Sequence, residues 1–397
     1  MNVTKADGSS EPFSVEKIHK VVQWATSGIN GVSFSEVEMN ANLSIYDGIP
    51  TKEIHKVLIK SASDLISTST PNYQYVAARL LNLQLRKEVW GSHNSPPDFV
   101  TFLQNNVDNG IYDHLLNPVA VDVTVDSACW TEDQVKELEK HIDHTRDDFY
   151  TYAGLQQMVD KYLVKNRNTD KIYETPQFAY MCIAMCLFDT VEDVKNAYDA
   201  YSCFQINLAT PVMCGVRTTK KQFASCVLVD VEDDLDAIFS SIHAVGKYTA
   251  NRAGIGINIG RVRPIGSPIR GGEVIHTGLI PYLKCFETSV KSTTQNGIRG
   301  GSATVHIPFW HYEIEDIIVL KNNAGTDDNR VRKLDYSIQF SKLFYKRLIA
   351  DEDITLFSPD EAKGLYDNFT DNAKFEELYE KYERSRSLKF KRKIPAR

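Results

Sequence analysis

Cys226 opens the apolar run Ser225-Cys226-Val227-Leu228-Val229-Asp230. A thiol can give up a proton and then, by exchange with a second thiol, a pair of electrons. No Ser/His/Asp or Cys/His pairing at recognisable spacing makes it a hydrolytic nucleophile. Cys182, Cys186, Cys203 and Cys285 read as small buried hydrophobes. Cys182 and Cys186 sit one helical turn apart but lack the second pair of a zinc site. A second group is Asp233-Asp234-Leu235 with Arg263 and Arg270, the latter inside Gly266-Ser-Pro-Ile-Arg270-Gly-Gly272. An aspartate accepts from ribose hydroxyls and two arginines can chelate phosphate. The glycines let backbone approach a ligand closely; ordinary surface ion pairs are the other use of such residues. A third stretch, Lys291 to Gly301, sets Gln295 and Arg299 among glycines as base-reading donors, or is a loop with no role.

At the N-terminus, Lys5, Asp7 and Gly8 precede Glu11, Pro12, Phe13, Ser14, Val15, Glu16 and Lys17, with Thr51 and Lys87 further on. A turn before a helix start presents unpaired N–H groups to an anion, and lysines add charge. That suits a nucleoside triphosphate, although a turn followed by a capped helix is also a common structural device. Gly254-x-Gly256-x-x-x-Gly260 misses the dinucleotide-binding spacing by one residue, which argues against an NAD-dependent oxidoreductase.

These residues need elements to hold them. Ser14 predicts an N-cap for a helix carrying Val15, Ile18, Val21, Val22 and Ala25, closed by Gly28. Further helices are expected from Thr51 and from about Pro71 to Trp90, and Gly91 to Pro97 marks a boundary. Residues 98–220 read as mostly helical, with Phe178 to Phe188 apolar on every side and so buried. Strand then alternates with helix, an α/β pattern in which loops at strand ends carry the chemistry. The predicted domains are 1–92, 93–220 and 221–397. The basic end, Lys389 to Arg397, follows a charged helix from Phe375 to Arg386 and shows no closing strand.

The 397 residues carry 45 Lys+Arg against 52 Asp+Glu, a net charge of −7, which disfavours nucleic acid as the main partner. No apolar run reaches the ~18 residues of a membrane span, and the first residues lack a secretory layout. Seven cysteines in so long a chain point to a reducing cytoplasm rather than a disulfide framework.

The order Val3-Thr-Lys-x-Asp-Gly-Ser, Ile54-His55 and Tyr73-Gln-Tyr-Val-Ala-Ala-Arg79-Leu resembles an ATP-cone, with Ala6 where that module usually carries a basic residue. Thr210-Pro-x-Met213-x-Gly-Val-Arg217-Thr, Phe223-x-Ser-Cys226-Val-Leu, Arg252-Ala-Gly-Ile-Gly-Ile-Asn258, Gly266 to Glu273, His276-Thr-Gly, Arg299-Gly-Gly and Leu320-Lys-Asn-Asn323 continue the pattern. With Asp353 to Pro359 and Gly364-Leu-Tyr-Asp367, they closely resemble the large subunit of class I ribonucleoside-diphosphate reductase, from residue 3 to about 386.

That resemblance implies an ATP-cone, a helical segment and the first half of a ten-stranded α/β barrel. It implies that Thr210, Ser225 and Gly254 line a ribonucleoside diphosphate site. Cys226 would be one of two thiols that reduce the 2′ carbon. Asp233, Asp234, Leu235, Arg263 and Arg270 would hold a deoxynucleoside triphosphate effector, and Gln295 and Arg299 would relay its identity. Lys5, the Glu11 to Lys17 segment, Thr51 and Lys87 would bind ATP or dATP. The implied partners are a second large subunit, a radical-generating small subunit that holds the metal cofactor, and thioredoxin or glutaredoxin. This chain itself shows no metal-ligand cluster. No Asn-x-Cys-x-Glu occurs in it, so the expectation is a partial large subunit: either a split one whose C-terminal half, with the partner cysteine, is a separate polypeptide, or a truncated one. The competing class is a nucleotide-binding regulatory protein without catalysis.

Overall fold

The computed structural model describes residues 2–5, 8–41, 46–118, 130–220, 222–293 and 300–397. They pack into two units, Met1–Phe223 and Ala224–Arg397, each with an apolar core of its own.

The first unit opens with strands β1 (Asn2–Thr4), β2 (Ser10–Pro12) and β3 (Ile49–Pro50), in the order β2-β1-β3. Helices α1 (Val15–Thr26), α2 (Phe34–Ala41), α3 (Thr51–Asp64) and α4 (Tyr73–Trp90) cover them. Ser14 does cap α1, its side chain accepting from the Lys17 N–H at 3.4 Å. Gly91, in the left-handed region at φ 73°, closes α4. Then come α5 (Phe99–Asp108), α6 (Glu132–His141), α7 (Tyr152–Gln157), α8 (Pro176–Leu187), α9 (Val191–Ser202) and α10 (Thr210–Gly215). As its all-round apolar sequence requires, α8 is buried from Pro176 to Met185. One apolar cluster runs from Val3 to Val216, so α4 serves both the N-terminal layer and the helices after it. A fully buried Arg217–Glu174 pair ties this unit together: Arg217 Nε donates to Glu174 at 2.8 Å, and the guanidinium also reaches the carbonyls of Met213 and Tyr162. Removing either partner would leave a buried charge unpaired, at a cost of about 3–5 kcal/mol.

The second unit is built on four parallel strands: β4 (Cys226–Asp230), β5 (Gly254–Asn258), then, beyond the short hairpin of β6 (Pro268–Ile269) and β7 (Val274–Ile275), β8 (Ala303–Pro308) and β9 (Asp335–Gln339). The spatial order is β4-β5-β8-β9. Helices α11 (Leu235–Ala250), α12 (Leu279–Ser292) and α13 (Ile314–Ile318) connect successive strands, and α14 (Lys342–Ala350) follows β9. Because strand side chains alternate, one sheet face carries Ile255, Ile257, Val305 and Ile307, which are buried with Ile238, Val245, Leu283 and Phe286. The other face carries Cys226, Leu228, Gly254, Gly256, Asn258, Thr304 and His306. Leu228 is 82% exposed there. Parallel sheets are ordinarily covered on both faces; among the described residues this one is covered on only one.

Two expectations need correction. The basic end forms a strand, β11 (Lys391–Pro395), antiparallel to β10 (Asp353–Phe357), after the helix α15 (Asn372–Arg384). Its charge hid it. Ile394 packs into the core, Arg392 pairs with Glu315 at 2.8 Å and lies over the Tyr312 ring, and Lys391 donates to the Glu383 carbonyl at 3.0 Å. Among the cysteines, Cys182 is buried as expected, but Cys186 and Cys203 are half-buried and Cys285 is exposed. The buried stripe of α12 is Leu279, Leu283, Phe286 and Val290, and Cys285 falls off it.

Candidate functional site

Three places bring the chemistry-bearing residues together. The first is a cavity of about 790 Å³ in the N-terminal layer, lined by Lys5, Glu11, Phe13, Ser14, Lys17, Thr51 and Lys87, all singled out by sequence. It also takes in Lys52, His55, Gln84 and Glu88. Pro12, Val15 and Glu16 belong to the same segment but are not on its lining: Val15 is exposed and Glu16 pairs outward with Lys20. Ala6 and Asp7 lie outside the described residues. Lys5 and Lys17 both reach Glu11, at 2.7 and 3.1 Å, and these bonds, Lys5 first, lower its pKa. Lys87 donates to His55 Nε2 at 3.2 Å. Burial, with Lys87 and His93 adding repulsion, pushes His55 down to about 4, and burial also lowers Lys87.

Two polar atoms on this wall, His55 Nδ1 and Gln84 Oε1, are buried without a hydrogen-bond partner among the described residues. Such groups cost about 1–3 kcal/mol each when left unpaired. A ligand with donor and acceptor edges would satisfy them, while four lysines against two glutamates favour an anion. His55 follows Thr51 by one turn of α3, and Gln84, Lys87 and Glu88 share a face of α4. That spacing was the signal for His55 and Gln84 that the sequence reading left unused.

The second place is the loop between β5 and α12. Asp233 accepts from the Arg263 backbone N–H at 2.9 Å and from its Nε at 2.8 Å. Burial raises the Asp233 pKa despite that arginine. Asp234 caps α11, accepting from the Ala237 N–H at 2.8 Å, and Leu235 starts that helix, half exposed. Arg270 is exposed at φ 51°, and its side chain has no hydrogen bond or ion pair among the described residues. The structure therefore pairs Asp233 with Arg263 and leaves Arg270 facing solvent. Gln295 and Arg299 lie outside the described residues.

The third is the head of the open sheet face. Cys226 is exposed and stands opposite Gly254 in the parallel ladder, and the Gly254 N–H donates to the Ser225 carbonyl at 2.8 Å. The Ser225 hydroxyl lies 4.0 Å from the Cys226 sulfur. A side chain at Gly256 would collide with Leu228 at 2.4 Å, so glycine keeps this surface low around the thiol. Thr210 is the first residue of α10 in the other unit, held through Met213 by Arg217.

Family models match three stretches of the chain: an ATP cone domain over residues 1–88, a ribonucleotide reductase all-alpha domain over 148–221, and a ribonucleotide reductase barrel domain over 224–397. The chain belongs to the ribonucleotide reductase family. Among reductase relatives, it is 48% identical over 398 residues to ribonucleoside-diphosphate reductase 1 subunit alpha of Escherichia coli K12, covering 98% of this chain and 51% of that protein. It is 42% identical over 407 residues to the subunit alpha of Enterobacteria phage T4, covering 100% of this chain and 52% of that one. At 32% identity over 388 residues, the Helicobacter pylori subunit alpha covers 97% of this chain and 47% of its own length. The chain thus spans about half the length of the curated reductase relatives it matches. No helix among its described residues is long and apolar enough to cross a membrane.

Within these matches, the cavity lies in the ATP-cone region, and the loop and the thiol lie in the barrel region.

Proposed function

We propose that this chain supplies the nucleotide-control half of a ribonucleoside-diphosphate reductase and one of its two reducing thiols. The observation that carries the reading is Cys226, exposed at the head of a parallel sheet whose own face is uncovered. A thiol in that position is reachable by a sugar and by a second thiol carried on whatever completes the barrel. The overall step balances without further reagents: two thiols become a disulfide, the 2′ hydroxyl leaves as water, and the 2′ carbon gains hydrogen. The dithiol provides both electrons and both protons of this two-electron reduction.

Ser225 and Gly254 beside the thiol position the nucleotide, and Thr210 is the further residue assigned to substrate binding. Asp233, Asp234, Leu235, Arg263 and Arg270 bind a deoxynucleoside triphosphate that selects the substrate base, with Gln295 and Arg299 on the loop between effector and substrate. ATP or dATP occupies the N-terminal cavity through Lys5, Lys17, Thr51 and Lys87, with Glu11, Phe13 and Ser14 framing it. The rest of the barrel, with the second cysteine, comes from residues beyond this chain or from a separate polypeptide. A small subunit brings the metal-based radical, and thioredoxin or glutaredoxin restores the thiols. The large subunits pair through the helices beside the effector site, in the cytoplasm.

The cavity by itself favours the alternative of a purely regulatory nucleotide-binding protein, and one experiment separates the two. The chain is combined with the remaining half of the barrel and a radical-generating subunit, and deoxynucleotide formation is measured with an external dithiol. Cys226→Ser should abolish turnover; full activity in that variant would leave only the regulatory reading.

A further inference from the structure

The loop that runs from Val262 to Gly278 carries Arg263 and Arg270, yet its two ends are fastened by a part of the chain that neither motif mentioned. Glu313 is 4% exposed. Its carboxylate accepts from the Ile265 N–H at 3.1 Å and from the Leu279 N–H at 3.2 Å. Leu279 is the first residue of α12, and the residue before it, Gly278, has no side chain with which to cap the helix. Glu313 fills that role from 34 residues away. Two residues earlier, His311 completes the fastening. Its Nδ1 accepts from the Glu313 N–H at 3.1 Å, so its Nε2 carries the proton that reaches the Val262 carbonyl at 2.9 Å.

Gly278 is shaped to this contact. It sits at φ +86°, and a Cβ there would come within 2.7 Å of Glu313 Oε1 and 2.9 Å of Ile265 Cβ. Any side chain would push the carboxylate off the loop. The same loop is stitched internally by the Gly266 N–H to the His276 carbonyl, the His276 N–H to the Ser267 carbonyl, and Arg263 to the Pro268 carbonyl.

We propose that Glu313 is the positioning residue of the effector loop: by binding the N–H groups of Ile265 and Leu279 together, it closes the base of the segment that presents Arg263 and Arg270 to a nucleoside triphosphate. This rests on the effector-site reading given above. The ionised carboxylate is the stronger acceptor for two donors at once. Protonation converts one oxygen to a donor that faces N–H groups, and the clamp loosens. Burial raises the Glu313 pKa to about 7, opposed by its two N–H partners, with nearby Asp316 raising it further. The other titratable and charged groups at this junction are His311 and His276, both lowered chiefly by burial, and Asp233, Arg263 and Asp360. In the loosened loop Glu313 stays buried but loses the two N–H bonds that lower its pKa, so the loosened form holds the proton more tightly, and loop closure, with triphosphate affinity, strengthens as pH rises through about 7.

The test is calorimetric titration of dTTP into the full chain at about pH 6 and about pH 8, on either side of that value. Wild type, Glu313→Gln and Arg263→Ala are compared, with the Arg263→Ala chain giving the contribution of the N-terminal cavity. Glu313→Gln is expected to bind about tenfold more weakly than wild type at the higher pH and to lose the extra pH dependence that wild type shows. If Arg263→Ala weakens binding while Glu313→Gln keeps both the affinity and the pH profile of wild type, the clamp is refuted and the effector site stands. Unchanged binding in Arg263→Ala would instead remove the effector reading, and the clamp with it. Should Glu313→Gln not fold, hydrogen exchange on wild type decides. Protection of the Ile265 and Leu279 amides, corrected for intrinsic exchange, must rise through about pH 7, and pH-independent protection overturns the proposal.

Discussion

The N-terminal cavity and the open face of the β4-β5-β8-β9 sheet are both places where the fold leaves polar chemistry unfinished, but they do so differently. The cavity has all its walls in one unit, and what it lacks among the described residues is small: partners for His55 Nδ1 and Gln84 Oε1, and an anion to balance four lysines against two glutamates. Among the described residues, the sheet has a packed apolar layer on one face only. One of its faces is packed with Ile255, Ile257, Val305 and Ile307, while the other shows Leu228 at 82% exposure beside Cys226. A site missing a few hydrogen bonds calls for a small ligand. A parallel sheet missing one of its two covers calls for more protein.

The contrast can be broken in several ways. The largest expected effect is on the packed side of the sheet. Ile257→Ala should cost about 2–5 kcal/mol, because it opens a cavity in a fully buried layer. Denaturant unfolding measures this, and a loss under 1 kcal/mol would mean that the two faces differ less than their burial implies.

Next comes the cavity. Lys87→Ala removes a cation from the wall and should weaken ATP binding about ten- to a hundredfold, the value of one or two charge-assisted bonds. Calorimetry checks it, and the environment of Cys226 should be untouched.

Acid should weaken the protein as well. His55, His144 and His311 are each pushed down to about 4, chiefly by burial. Their unfolded forms titrate near 6.5, so between 6.5 and 4 the unfolded chain binds more protons and stability falls as pH falls. Glu313 acts in the opposite sense. Its folded pKa lies above the unfolded value, so the stability it contributes is present at low pH and is lost as pH rises toward about 7. Three histidines outweigh one carboxyl, and thermal melts should show a lower Tm at about pH 4.5 than at about pH 7; no difference would contradict the burial of the imidazoles.

The smallest effect belongs to the open face. Leu228→Lys should change the stability of this chain by no more than about 0.5 kcal/mol, as for other exposed positions. It should nevertheless impair assembly with the rest of the barrel, measured by sedimentation of the mixture. A large loss of stability would show that Leu228 is already covered.

Much of this was written locally in the sequence. The cap at Ser14, the buried α8 and the strands at Cys226 and Gly254 follow from residue type and spacing over a few positions. What could not be read was either masked by charge or assembled from distant pieces. Lys391–Pro395 carries too many cations to resemble a strand, yet the stems of Arg392 and Lys391 lie along apolar and carbonyl surface. Cys285 was misjudged because only the helical phase of α12 reveals which of its sides faces inward. Glu313 lies 48 residues from one of its partners, and nothing near it in sequence hints at the loop it fastens. Asp233 and Arg263 were legible as members of one group, with ion pairing as one use of it, and the structure pairs them.

The central claim is that the Cys226 thiol is oxidised to a disulfide in each reduction. Its most direct test is a single turnover in the assembled enzyme without external reductant, followed by thiol labelling and mass mapping. The account predicts that Cys226 emerges in a disulfide, one for each deoxynucleotide formed. Product formation with Cys226 still a free thiol would contradict it.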